Sequence, residues 1–263
     1  MDGLYIFDNT CSVSFEDLAQ VEKLVNGDDM LSKDEVAVKV GRESITRGDM
    51  TRLQGPFKPA NTPDQKLWLS DTNMNGLIHI LREKFAEVYE FRQVYFATTF
   101  FYPKMIQENS NKLKDRNVFC YDEVVNWCLK VHKEKTLLEL HASYFPIHLG
   151  KQHWICAAIL NKLKQLVVYN DFRSRSRHPK LAHMTILQNM RKLVVAEFKR
   201  TNPNHTGQDV NKFENEWSMK DLSPPKDKTP QDLPEQKNGE KTKVNCVHAL
   251  LLNSYGITWC NRI

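Results

Sequence analysis

No stretch of the chain approaches the roughly 18 consecutive apolar residues that a membrane-spanning helix requires. A secretory signal is not expected either, because Met1 to Val13 carries acids where such a signal would carry a basic start. Cysteine is sparse and unpatterned: the six, at positions 11, 120, 128, 156, 246 and 260, form no CxxC pair and no disulfide-framework spacing. A reducing compartment follows, nucleus or cytoplasm, with no membrane partner. No histidine has zinc-site spacing, so His79, His148 and His248 read as packed or surface residues and no metal site or cofactor is expected. Nor is there a long basic tract. The net charge of +5 is spread along the chain, and the densest patch, Arg173, Arg175, Arg177, His178 and Lys180, reads as a solvated loop rather than a phosphate grip, so no nucleic-acid partner is expected.

What is present is ordinary globular usage, 41% hydrophobic and 26% charged over 263 residues, enough for one core with extensions. Ser14 and Asp17 resemble a capping box for a helix over 14–27, closed by Gly27, and residues 1–43 read as an amino-terminal extension. Alternation over 35–40 predicts a short strand, followed by Ser44 to Arg47 and a polar turn. Trp68-Leu69-Ser70-Asp71 opens a helix whose core face is Met74, Leu77, Ile78, Leu81 and Phe85. Val94 to Tyr102 reads as a buried strand and Tyr121 to Val131 as a helix with Trp127 inward.

Strands are predicted at 144–148, 154–160 and 166–169, with a turn over 161–165. Leu181, Met184, Leu187, Met190, Val194 and Phe198 predict a helix covering one sheet face. Residues 201–235 read as a polar loop or insert anchored by Phe213 and Trp217, and Cys246 to Tyr255 as a buried helix with Cys246 near its amino end. The fold class is α+β: a central mixed β-sheet flanked by helices.

If the strands before and after the turn pair about Lys162, His153 lies opposite Asp171. A carboxylate there would hold one imidazole nitrogen protonated and stabilise the imidazolium formed when the other takes a proton. An adjacent imidazolium and the positive end of a helix would both favour the Cys246 thiolate. Cys156, three residues from His153 on one strand, points to the other face and reads as core. A lone cysteine before an apolar helix is ordinarily a small buried hydrophobe, so the case for Cys246 depends on its context.

That context is a set of blocks in order. Ile45-Thr46-Arg47-Gly48-Asp49, Trp68-Leu69-Ser70-Asp71 and Phe100-Phe101-Tyr102 are followed by Pro146-Ile147-His148, His153-Trp154 and Tyr169-Asn170-Asp171, then by Leu233 to Gly239 and Cys246. They resemble the ubiquitin-like-protein-specific cysteine proteases, which include the SUMO proteases and, more distantly, the adenovirus protease. The resemblance covers roughly residues 44–256 and implies a catalytic domain over 44–263 with a papain-like arrangement of the active site.

It also implies roles. Cys246 attacks the scissile carbonyl, His153 serves as base and then acid, Asp171 orients His153, and the Gln236 side chain stabilises the oxyanion. Trp68 and Trp154 line a tunnel for the terminal Gly-Gly of a SUMO-like modifier, the expected partner, since residues without a Cβ can pass between close aromatic faces. Both could instead be core tryptophans, and Gln236 a solvated loop residue. Asn245 and Val247 depart from the Asp and Gly usual on either side of the nucleophile. The ten-residue step from Gln236 to Cys246 is also longer than usual, through an added Glu240-Lys241-Thr242-Lys243 turn. Three other functions use the same elements: an inactive modifier-binding module, a ubiquitin-directed protease, and an effector-type acetyltransferase.

Overall fold

The computed structural model describes residues 34–53, 69–84, 93–108, 111, 117–129, 135–149, 153–170 and 179–222. The chain divides into two compact units, Met1–Ile80 with Lys237–Ile263 and Leu81–Gln236. Among the described residues no helix is long and apolar enough to cross a membrane. The predicted helices at 14–27 and 246–255 lie outside the described residues.

In the first unit β1 (Val36–Val40) pairs antiparallel with β2 (Glu43–Thr46), so this hairpin runs across the expected boundary between 43 and 44. Its turn needs Gly41. The residue has φ +60°, and a Cβ there would lie 2.5 Å from the His79 ring. Helix α1 (Arg47–Leu53) starts at a reciprocal cap: Thr46 Oγ1 accepts from the Asp49 amide at 3.1 Å, and Asp49 Oδ2 accepts from the Thr46 amide at 3.2 Å. The other carboxylate oxygen of Asp49 accepts from Ser70 Oγ at 2.8 Å, and Asn73 Nδ2 donates to the Asp49 carbonyl at 3.3 Å. Ser70 and Asn73 also cap one another at the start of α2 (Asp71–Lys84). The two amino-terminal sequence blocks are thus tied together through Asp49.

The second unit is built on a five-stranded mixed sheet in the order β3 (Val94–Phe96), β4 (Ala142–Leu149), β5 (His153–Leu160), β6 (Gln165–Tyr169), β7 (Ser218–Asp221). The outer pairs are parallel and the inner pairs antiparallel. Strand β4 carries Pro146 where β3 has already ended, the last β3 pair being Phe96 with Tyr144, so the missing N–H faces no ladder on that side. Near-continuous burial of Ala142 to Ile147 and Trp154 to Leu160 fits strands covered on both faces.

The buried strand expected over 94–102 is only three residues long. Phe101 and Tyr102 instead enter helix α3 (Phe101–Met105), with Pro103 in its first turn, where a missing N–H costs no helical bond. Phe101 is fully buried there, with its ring 5.0 Å from Phe145 and 5.8 Å from Trp127. The helix expected over 121–131 is a turn followed by α4 (Val125–Leu129).

Helix α5 (Pro179–Thr201) packs on the sheet as expected, but along a different stripe. Its buried stripe, His183, Ile186, Leu187, Met190, Leu193, Val194 and Glu197, is spaced three and four apart, with Asn189 buried beside it, whereas Leu181 is 70% and Met184 40% exposed. The stripe therefore has a polar residue at each end.

The stretch from 201 to 222, expected as loop, is ordered. Thr206 and Asp209 form a capping box that starts helix α6 (Gly207–Asn215), and β7 then joins the sheet edge beside β6. Phe213 stacks on Phe198 at 3.9 Å, Trp217 is buried, and the Lys164 ammonium lies 5.1 and 5.2 Å from the Phe213 and Trp217 ring centres. The two aromatics anchor the segment, as the sequence implied.

Glu197, fully buried, accepts from Arg200 Nη2 at 2.7 Å and Nε at 3.1 Å, from the Leu137 amide at 3.4 Å, and from the Tyr121 hydroxyl. Removing the guanidinium would strand a buried carboxylate, so Arg200→Ala should lower stability by about 3 kcal/mol, measured by urea unfolding; a loss below about 1 kcal/mol contradicts the pairing. Burial first, and the Glu197 carboxylate second, push the Cys128 thiol up to about 12. At pH 8 on the order of one such thiol in ten thousand is ionised. Iodoacetamide followed by peptide mapping of the native protein should therefore leave Cys128 and the buried Cys156 unmodified.

Candidate functional site

His153 is the first residue of β5, paired with Leu149 at the end of β4. Trp154 follows it and faces His148 across the ladder. The two rings stack at 4.4 Å with 7° between their planes, and Trp154 is 8% exposed. The cross-strand stack fixes the plane of the indole, because a ring held against a neighbour on a rigid ladder has few rotamers left. Cys156 lies within the same strand, 1% exposed, opposite Pro146 and Tyr169, and is a core residue as expected.

The register of β5 against β6 differs by one residue from the expected one. Cys156 faces Tyr169 and Leu160 faces Gln165, so the pairing axis falls between Lys162 and Leu163 rather than at Lys162. The cause is the turn: Asn161–Leu163 forms a 3₁₀ segment and Lys164 closes it with φ 50°, an arrangement that takes up four residues. Continued outward, this register sets position 153 across from position 172. The direct cross-strand argument for His153 and Asp171 therefore does not hold, and β6 itself ends at Tyr169.

Asp171, Gln236, Cys246 and Trp68 lie outside the described residues, as does the basic run 173–178. His153 and Trp154 belong to the second unit. Among the described residues no three His, Cys, Asp or Glu side chains gather closely enough to hold a metal ion.

One polar cluster, which includes the residue preceding position 171 in sequence, was not anticipated. Asn170, the residue after β6, is 4% exposed, and its Nδ2 lies 3.2 Å from Nε2 of His183, whose Nδ1 lies 2.8 Å from Asp221 Oδ2. A carboxylate oxygen accepts, so Nδ1 donates to Asp221 and Nε2 faces the Asn170 amide. The available signal was a histidine four residues before Leu187, at the start of the helix's mainly apolar stripe.

With that geometry in view, comparison with known proteins is specific. Residues 67–242 match the Ulp1 protease family, C-terminal catalytic domain; the match takes in His153, Asp171 and Gln236 and ends four residues before Cys246. No curated protein sequence matches the chain. Among solved structures, the SUMO protease Ulp1 with its catalytic cysteine oxidised to a sulfinic acid has TM-score 0.59 at 18% identity, over 95% of this chain and 87% of that one. The C-terminal Ulp1 protease domain in complex with Smt3, the yeast orthologue of SUMO, has TM-score 0.55 at 18% identity, over 93% and 86%. The catalytic domain of the Chaetomium thermophilum Ulp1-like SUMO protease has TM-score 0.51 at 15% identity, over 92% and 78%. The α+β fold, a mixed central sheet with flanking helices, is the fold of these structures, and the chain belongs to the Ulp1 protease family as a cysteine peptidase.

Proposed function

We propose that the chain cleaves the peptide or isopeptide bond after the terminal Gly-Gly of a SUMO-like modifier. The observation that carries this reading is the His153-Trp154 pair at the head of β5, inside a family match that continues through Asp171 and Gln236. In this mechanism the Cys246 thiolate attacks the glycine carbonyl, and His153, having taken the thiol proton, returns it to the leaving amine. Asp171 orients the imidazole and stabilises its cation. The Gln236 amide and the Cys246 backbone N–H stabilise the oxyanion, a donor of this kind being worth about 3 to 4 kcal/mol. Trp154, its plane set by His148, supplies one face of a passage too narrow for any residue with a side chain.

A second reading has its own motive. The family match ends at residue 242, and Asn245 and Val247 flank Cys246 where the family has Asp and Gly. A chain that binds the modifier without cleaving it would fit those departures.

A SUMO probe ending in a Gly-Gly propargylamide separates the two: the protease forms a covalent adduct at Cys246 and Cys246→Ala forms none while still binding SUMO. Binding of SUMO with no adduct to the wild-type chain, and no turnover of a SUMO coumarin amide, favours the binding module. Adducts with a ubiquitin probe but not with SUMO would redirect the substrate.

Two further substitutions test the roles. Gln236→Ala should lower kcat about 100-fold or more with little change in KM, as expected for an interaction made only in the transition state. Trp154→Ala should lower kcat/KM at least about tenfold on the SUMO substrate, and a value within about twofold of wild type removes Trp154 from the substrate path.

A further inference from the structure

Three elements of the second unit converge on the residue that precedes Asp171. Helix α5 supplies His183, 3% exposed; β7 supplies Asp221, opposite Val168 at the end of its pairing with β6; and the chain leaving β6 supplies Asn170. The imidazole bridges them, 2.8 Å from the carboxylate and 3.2 Å from the amide. The Leu222 amide adds a bond to the Val168 carbonyl at 2.9 Å, so β7 is fastened to β6 at this point by backbone as well.

Packing alone does not call for this arrangement. Two members of the cluster, Asn170 and His183, are buried, while the Asp221 side chain is 33% exposed; burying such polar groups gains little over apolar side chains of the same volume, since each gives up its water for a protein partner. What such a network supplies is a single geometry, because each hydrogen bond allows only one direction and the ring has only one neutral tautomer that satisfies both neighbours. The residue whose side chain is locked in this way is covalently joined to position 171, one peptide unit of about 3.8 Å away.

We propose that His183 is a positioning residue for Asp171: clamped between Asp221 and Asn170, it fixes the chain at the end of β6 and with it the carboxylate that orients His153. This rests on the triad assigned above. His183 and Asn170 touch neither substrate nor nucleophile in this scheme and act only through Asp171. Their loss therefore changes the rate of the chemical step rather than modifier binding, since a small misplacement of a catalytic group costs one to two orders of magnitude in rate.

The test is hydrolysis of a SUMO coumarin amide by the full chain, with kcat and KM measured separately for Asn170→Ala, His183→Ala, Asp221→Asn, Asp171→Asn and the Asn170→Ala/Asp171→Asn double variant. Asn170→Ala and His183→Ala should each lower kcat about tenfold or more with KM within about threefold. Asp221→Asn keeps an oxygen acceptor for Nδ1–H and should retain most of the activity. In the double variant the Asn170 change should cost nothing beyond Asp171→Asn alone, because both remove the same function.

Losses that multiply in the double variant, or that fall on KM alone, overturn the proposal. So does a normal kcat for Asn170→Ala beside a large loss for Asp171→Asn, an outcome that leaves the triad intact. Wild-type turnover by Asp171→Asn sinks the triad assignment and this proposal with it. Should His183→Ala fail to fold, Asn170→Ala, which removes only the amide facing Nε2, decides the matter.

Discussion

Side chains alternate across a strand, so the pairing of β5 with its two neighbours decides which residues of the second unit can be core and which can serve chemistry. β5 is the middle strand of five, paired antiparallel with β4 over its length and with β6 from Cys156 onward, and its first two residues are the proposed base and the tryptophan beside it. A slip of one residue on either side would exchange the faces of Ile155 to Leu160 and put each buried side chain into a space shaped for its neighbour. The ladder is therefore pinned by the whole core. His153 starts this strand, its backbone paired with Leu149 of β4. The parallel outer strands extend this frame: β7 closes one edge through β6 and brings Asp221 to the point where the chain leaves the sheet.

What the sequence made legible, and what it hid, follows from the same physics. Strands β4 to β6 were readable because runs such as Leu166 to Tyr169 are β-branched and apolar and bounded by a polar turn. The turn was readable in place but not in geometry, since nothing in Asn161-Lys162-Leu163-Lys164 announces a 3₁₀ segment ended by a lysine at positive φ. That one residue of extra turn displaced the inferred opposition of His153 and Asp171. The reading of 201–222 as loop failed for a different reason, residues 223–235 lying outside the described ones. Low aliphatic content was weighed above the Thr206-Gly207-Gln208-Asp209 box, a local start signal that needs no hydrophobic run. In 94–102 the aromatics suited strand and helix alike, and composition alone could not choose between them.

On α5 the misreading is instructive about sites. Leu181 and Met184 were assigned to the buried face because they are apolar, and His183 was passed over because it is not; their exposures are reversed. A helix face is set by angle, and the stripe through Ile186, Leu187, Met190, Leu193 and Val194 runs on to His183 at one end and Glu197 at the other. Both polar residues are buried, and both are matched by partners from other elements, Asp221 and Asn170 for the first, Arg200 and Tyr121 for the second. Polar interruptions of an apolar stripe are thus where the packing of this unit is made specific. They are visible in a sequence only after the face has been drawn.

The distance between this chain and the solved structures, 15 to 18% identity with the fold retained, bears on which residues such a fold needs. Apolar cores accept many substitutions that conserve volume, so most positions can drift without changing the architecture. Polar knots cannot drift one residue at a time, because removing one partner leaves the other buried and unsatisfied. In the first unit the reciprocal caps of Thr46 with Asp49 and Ser70 with Asn73, joined through Asp49, are such a knot, and they lie in the two blocks by which the amino-terminal half of the domain could be matched by eye. Those blocks need no catalytic role to persist: their side chains cap two helices and hold one helix start against the other. Chemistry must therefore be sought where a polar residue is not already accounted for by such a knot. His153, the first residue of β5 and next to the Trp154 that stacks on His148, is the position proposed for that chemistry.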